Sequence, residues 1–246
     1  MEPATIAWMA LLMGLAAALY STVGHGGASA YLAIMALFAV APDVMRPTAL
    51  ALNLVVAGVA GIRYWQSGQI NFRLLAAFLL TAAPAAFVGG GIHIPPEYYR
   101  PLVGLVLWVA AARLFWQPLR LAERQPRPPS LIITLPAGAG LGLLAGLTGT
   151  GGGIFLSPLI ILLGWEDARR TSGVAAGFIF VNSLAGLAGN LASVRSLPGE
   201  LPILIAAVAA GALAGTWLGA GRLPKLRLLQ GLGLVLAIAG AKLVFT

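Results

Sequence analysis

Two glycine-rich runs are the residues of this chain best suited to chemistry. They read Ser21-Thr22-Val23-Gly24-His25-Gly26-Gly27-Ala28-Ser29 and Thr148-Gly149-Thr150-Gly151-Gly152-Gly153-Ile154, and each lies inside a long stretch without a charged residue. Consecutive glycines interrupt a helix and free backbone N–H groups that lipid cannot satisfy. Such a break must face protein, water or a ligand. The segments that follow are short, so each reads as a half-helix with its N-terminus pointing at the glycines. Partial positive charge and free donors at such an end suit a small anion. The structural alternative is close helix packing through small residues. Neither run has the Lys-Ser/Thr of a phosphate-binding P-loop, nor the spacing and following acid of a dinucleotide fingerprint.

Other polar residues gather near the breaks. The hydroxyls of Ser21, Thr22, Thr148, Thr150 and Ser157 can donate to the oxygens of an anion, or bond their own helix backbone. His25, one of two histidines, could donate to an oxyanion, or titrate near neutrality and couple a proton to transport. A neutral histidine bonded to a carbonyl is the plainer reading. His93, beside Ile94-Pro95-Pro96, reads as interfacial. Asn53 and Asn182 are amides within apolar segments and either line a pathway or join helices. The candidate anion-binding set is therefore Gly24, His25, Gly26, Gly27, Thr148, Gly149, Thr150, Gly151, Gly152, Gly153, Asn53 and Asn182, with His25 the candidate for proton coupling. Arg46, Arg169 and Arg170 precede the segments that hold the amides, where they either attract anions to the pathway mouths or anchor the chain to headgroups.

The elements that must position these residues follow from composition. Of 246 residues, 59% are hydrophobic and 9% charged, against roughly a quarter charged in a soluble domain. With a mean hydropathy of +0.93, the chain is an all-α polytopic membrane protein. Gly, Pro and charge divide it into about ten transmembrane or half-membrane helical segments. They fall near 4–22, 28–42, 48–66, 73–93 and 99–117, then 131–148, 153–165, 170–192, 200–220 and 225–245. The polar, proline-rich residues 118–130 form a linker between a first membrane repeat, 1–117, and a second, 131–246. The absence of cysteine excludes disulfides, thiolate metal sites and cysteine nucleophiles. No close histidine pair exists, and no carboxylate lies near His25 in sequence, so an enzyme, a metal centre and a cofactor are not expected.

The halves read as copies in opposite orientation. Gly24-His25-Gly26-Gly27 matches Gly149-Thr150-Gly151-Gly152 at an offset of 125, while Gly90, Pro95, Gly104 and Arg113 match Gly219, Pro224, Gly233 and Lys242 at an offset of 129. The Asn53–Asn182 pair shares the second offset. Placing every segment across the bilayer, or making the first two of each half a re-entrant pair, puts eleven of the fifteen Lys and Arg residues on one side. That side holds Arg63, Arg73, Arg113, Arg120, Arg124, Arg127, Arg169, Arg170, Arg222, Lys225 and Arg227. The other holds Arg46, Arg100, Arg195 and Lys242. By the positive-inside rule the first side and the linker are cytoplasmic, and both termini face out. The same rule explains the net charge of +8 without nucleic acid as a partner. Corresponding loops exchange their charge bias, as an inverted five-segment repeat requires, and this design is typical of secondary transporters with a site near the bilayer midplane.

The run Gly-Leu-Thr-Gly-Thr-Gly-Gly-Gly-Ile-Phe-Leu-Ser-Pro-Leu at 146–159, its weaker copy around Gly24-His25-Gly26-Gly27 and the Arg-Thr-Ser-Gly at 170–173 resemble the TauE/SafE family of sulfite and organosulfonate exporters. The resemblance covers nearly the whole chain. It implies export of sulfur-containing oxyanions and location in a plasma membrane, the bacterial inner membrane. One departure matters: His25 and Ala28 stand where the second copy has Thr150 and Gly153, so the two loops need not contribute equally.

The expected function is a secondary carrier that exports small anions by alternating access of the two halves. An interior-negative potential drives anions outward by about 2.3 kcal/mol per charge per 100 mV, roughly 50-fold in concentration for a monoanion. Export therefore needs no proton. An anion channel and a proton-coupled importer are the alternatives in the same architecture. The expected partners are a small anionic substrate and the lipid bilayer, with a homo-oligomer left open.

Overall fold

The computed structural model describes residues 2–21, 26–115, 126–127, 129–191, 197–217 and 225–245, with the backbone alone at 217 and 225–231. Among the described residues there are ten helices and no strand: α1 (Pro3–Ser21), α2 (Ala28–Leu37), α3 (Pro42–Gln66), α4 (Phe72–Gly91), α5 (Pro96–Phe115), α6 (Leu131–Thr148), α7 (Gly153–Leu162), α8 (Ala168–Gly189), α9 (Leu201–Trp217) and α10 (Lys225–Phe245). Side-chain caps fix three of the starts. Asn71 accepts from the amide of Leu74 at 3.0 Å, Ser130 from Ile132 at 3.2 Å, and Asp167 from Arg169 and Arg170 at 2.8 and 2.9 Å. Each satisfies an N–H that the first turn leaves without a partner.

The largest boundary differences from the sequence reading are at α3 and α2. Helix α3 starts at Pro42, not 48, because Pro42 occupies the first turn, where its missing N–H is harmless. Pro47 lies inside the helix; Pro84, Pro101, Pro136 and Pro158 likewise sit within helices, as membrane helices tolerate. Helix α2 ends at Leu37 rather than 42. With 10 residues each, α2 and α7 rise about 15 Å, half the hydrocarbon thickness of a bilayer. Neither spans. By contrast α1, α3, α4, α6 and α8 are long and apolar enough to cross.

Backbone approach organises the packing. Helix α4 lies most extensively on α6, α1 on α9 and α5 on α10. A β-carbon on Gly14 would stand 3.0 Å from the carbonyl of Ala207, and Gly211 and Gly215 press on the backbones of Gly14 and Ala18. On the other pair, a β-carbon on Gly138 would stand 2.5 Å from the carbonyl oxygen of Phe78, while Gly142 and Gly146 press on the backbones of Ala82 and Ala86. Phe78, Ala82 and Ala86 precede Ala207, Gly211 and Gly215 by the same 129 residues that separate Asn53 from Asn182. Both pairs run parallel. The equivalents α3 and α8 run antiparallel, with Gly58 against Phe180 and Gly186 against Leu50. So do α5 and α10, where Trp108 donates to the carbonyl of Ala237 at 3.1 Å, again across 129 residues.

The two broken hairpins insert from opposite ends of this bundle. The α6–α7 hairpin starts and ends where α3 turns into α4: Asn71 donates to Glu166 at 2.6 Å, and Trp165 packs on Phe78 with ring centroids 6.1 Å apart. The α1–α2 hairpin starts and ends at the far side, where Lys242 donates to the carbonyl of Leu37 at 3.0 Å. Every residue from Ala28 to Ala36 is buried. A helix with no exposed face belongs to the protein interior, so α2 contacts protein on all sides and not lipid. The aromatic residues divide: Trp65 and Tyr98 are exposed, whereas Tyr99 and Trp165 are buried in the core.

Candidate substrate site

Glycine backbone geometry builds the second break. Helix α6 ends on Gly149 at φ 84°, Gly151 follows at 71°, and Gly152 opens α7 at 77°. These are left-handed conformations that a side chain disfavours. The first break ends the same way, with Gly27 at φ 89° opening α2. No side chain caps the N-terminus of either half-helix. Gly24 and His25, together with Thr22, lie outside the described residues.

The tips of the two hairpins meet at the middle of α3 and α8. A β-carbon on Gly26 would stand 2.6 Å from Oδ1 of Asn53 and 2.9 Å from Cγ2 of Ile179. A β-carbon on Gly151 would stand 2.7 Å from Nδ2 of the same Asn53 and 2.9 Å from the same Ile179 atom, with Oγ of Ser183 at 3.2 Å. Gly26 and Gly151 therefore flank one amide and one isoleucine, and Gly153 also presses on Ile179. Asn53, Asn182 and Ser183 are all 0% exposed, and among the described residues none of their polar side-chain atoms has a hydrogen-bond partner. Burying such groups unpaired costs about 1–3 kcal/mol each. Two of them, Asn53 and Ser183, lie against Gly151, and a polar guest there would relieve both.

The threonines take a different role from the amides. Thr148 donates to the carbonyl of Leu144 at 2.7 Å, so its contact with Thr150 at 2.9 Å uses the hydrogen of Thr150. Both hydroxyl hydrogens are committed within the break. Ser157 likewise donates to the carbonyl of Gly153, at 3.1 Å in its own helix. In this structure the three hydroxyls bond within the break and its flanking helices. Gly149 packs over Arg46, with 3.2 Å from its would-be β-carbon to Cγ, and Gly152 lies against Phe178.

Arg46 lies inside α3, not before it, and is only 6% exposed. Its guanidinium donates to the carbonyl of Ile92 at 3.0 Å and to that of Gly90. Those carbonyls close the C-terminal turn of α4, where a cation is favoured by the helix dipole. Beside it Tyr99 donates to the carbonyl of Thr148 at 3.0 Å. Arg46 and Tyr99 thus brace the second break from α3 and α5. Arg169 and Arg170, in contrast, are exposed at the start of α8, and His93 is exposed between α4 and α5. Sequence reasoning passed over Ser183, Ile179 and Tyr99. Ser183 had one signal, its place beside Asn182 in an apolar helix; the other two had none, because apolar and aromatic residues are ordinary there.

An all-helical bundle in which five of the described helices are long and apolar enough to cross a membrane, with two inward-pointing broken hairpins that meet at the amide of Asn53, defines a polytopic membrane protein of the transporter type. Residues 9–243 match the sulfite exporter TauE/SafE family, and the chain belongs to that family. It is 38% identical over 229 residues to "Probable membrane transporter protein y4hK" of Sinorhizobium fredii, covering 92% of this chain and 93% of that protein. It is 25% identical over 261 residues to "Probable membrane transporter protein YjnA" of Bacillus subtilis, covering 95% and 98%. No solved structure matches the chain.

Proposed function

We propose that this protein is a secondary carrier that exports small sulfur-containing anions, sulfite or an organosulfonate, by alternating access around the paired glycine breaks. The observation that carries the reading is the amide of Asn53 between Gly26 and Gly151, at the meeting point of two half-helix N-termini that lack side-chain caps. Backbone donors and the positive ends of α2 and α7 converge there from opposite sides of the bundle, which is how secondary transporters hold an anionic group at the midplane. The antiparallel course of the equivalent pairs α3 with α8 and α5 with α10 supports the inverted repeat, 1–117 and 131–246, that alternating access uses. The linker 118–130 lies largely outside the described residues.

Orientation follows from charge. Arg63, Arg73, Arg127, Arg169 and Arg170 occupy the end where α3 turns into α4 and α7 into α8, and Arg46, Arg100 and Lys242 the other. The first end faces the cytoplasm of a bacterial cell and both termini face out. The test is sulfite efflux from proteoliposomes under an imposed potential, for the intact protein, Gly151→Leu and His25→Ala. Saturable flux lost in Gly151→Leu supports the reading, and flux retained in His25→Ala argues against obligatory proton coupling. No sulfite flux under any potential or pH gradient removes sulfite as the substrate.

A further inference from the structure

The groups left unpaired at the crossing point are unusual company for a bare anion. Ser183 has a hydroxyl that both donates and accepts, and Asn53 has an amide with two donor hydrogens and one acceptor oxygen. Both side chains are 0% exposed and unpartnered. Asn182, one residue before Ser183, repeats the amide with the same burial and the same lack of partners. Whichever way the amide of Asn53 is turned, its carbonyl oxygen ends up beside one of the two breaks, Gly26 or Gly151. A fully deprotonated oxyanion offers acceptors only. It would satisfy the N–H groups and leave the amide oxygen facing a negative charge in a site closed to water, which is unfavourable twice over.

We propose, on the reading that this crossing point is the transport site, that the site selects a monoanion that itself carries a hydrogen-bond donor hydrogen. Its oxygens accept from the half-helix N-termini and the amide N–H groups, and its own O–H or N–H is accepted by the amide oxygen of Asn53 and by Ser183. For sulfite the bound species is hydrogen sulfite and not the dianion. For sulfonates it is a molecule with a hydroxyl or amino group near the sulfonate and not a plain alkanesulfonate. A site built to bond a hydroxyl rejects the analogue that lacks it much more strongly than an apolar pocket rejects an added methylene.

The pair 2-hydroxyethanesulfonate and 1-propanesulfonate tests this at one pH. The two have nearly the same shape, both are permanent monoanions, and they differ by O–H against CH3. Each is added to proteoliposomes as a competitor of sulfite flux, and each is added to purified protein in detergent to read the ligand-induced rise in unfolding temperature. The hydroxylated compound is expected to compete at a concentration about tenfold lower or less. In Asn53→Leu the thermal-shift preference is expected to shrink severalfold, a readout that needs no transport activity. Equal potency of the two compounds on the intact protein overturns the inference and leaves the transport reading standing. A preference undiminished in Asn53→Leu overturns the role of that amide. No flux and no shift with sulfite or either sulfonate overturns the transport reading itself, and the inference falls with it.

Discussion

The amide of Asn53 occupies the space that a side chain at Gly151 would need: a β-carbon there would stand 2.7 Å from Nδ2. Two residues 98 positions apart in sequence thus share one contact, and the glycine is required twice, by that contact and by its φ of 71°. Gly151→Ala is therefore expected to lower anion flux by tenfold or more, while far-ultraviolet circular dichroism shows helix content unchanged. Retained flux in a folded Gly151→Ala protein would place the pathway elsewhere.

Asn53 distinguishes a ligand group from structural glue. Since its amide has no partner among the described residues, Asn53→Leu removes two unsatisfied buried groups and no bond. Unfolding temperature in detergent should hold or rise, with flux falling by at least tenfold. A drop of several degrees would instead mean that the amide holds helices together.

Arg46 makes the opposite prediction. Its guanidinium pairs with the carbonyls of Gly90 and Ile92, so Arg46→Met leaves the α4 terminus unpaired and should destabilise the protein by about 1–3 kcal/mol. Thermal unfolding checks this. A variant of full stability whose only change is weaker anion affinity would restore the reading of Arg46 as an attractor at the pathway mouth.

Close packing of α4 on α6 predicts a contrast between two glycines two positions apart. Gly142 presses on the backbone of Ala82, whereas nothing lies within 4 Å of a β-carbon on Gly140. Gly142→Val is expected to abolish recovery of folded protein, and Gly140→Ala to be neutral or slightly stabilising. Size-exclusion profiles of the two variants decide it.

The chain's lack of cysteine makes its orientation easy to measure. Single cysteines at Gln66 and Glu97, both exposed and at opposite ends of the bundle, should react with an impermeant maleimide from opposite sides of the membrane. Gln66→Cys should label only after the cell is opened, and Glu97→Cys in intact cells. Reversed labelling would turn the charge-based topology over.

Much of this architecture was legible in the sequence because a bilayer constrains sequence so strongly. Apolar length and glycine runs gave the helices and marked the breaks between the short and long ones, since a segment in lipid must satisfy its own backbone groups. Proline misled at Pro47, because a lost N–H matters less where neighbouring helices hold the turn. The candidate site was legible as residue types, glycines and matched amides, without a geometry to join them.

What the tertiary structure alone decided is which polar groups remain free. Thr148, Thr150 and Asn53 look equally available along the chain; only the fold shows the threonine hydrogens bonded within the break and the amide left unpaired between two hairpins. Arg46 reads in sequence as a mouth charge or a headgroup anchor and becomes a helix cap once α4 ends beside it. The physical reason is that composition and periodicity fix which segments leave water, a local property, whereas hydrogen-bond partnership depends on groups brought within about 3 Å from distant parts of the chain.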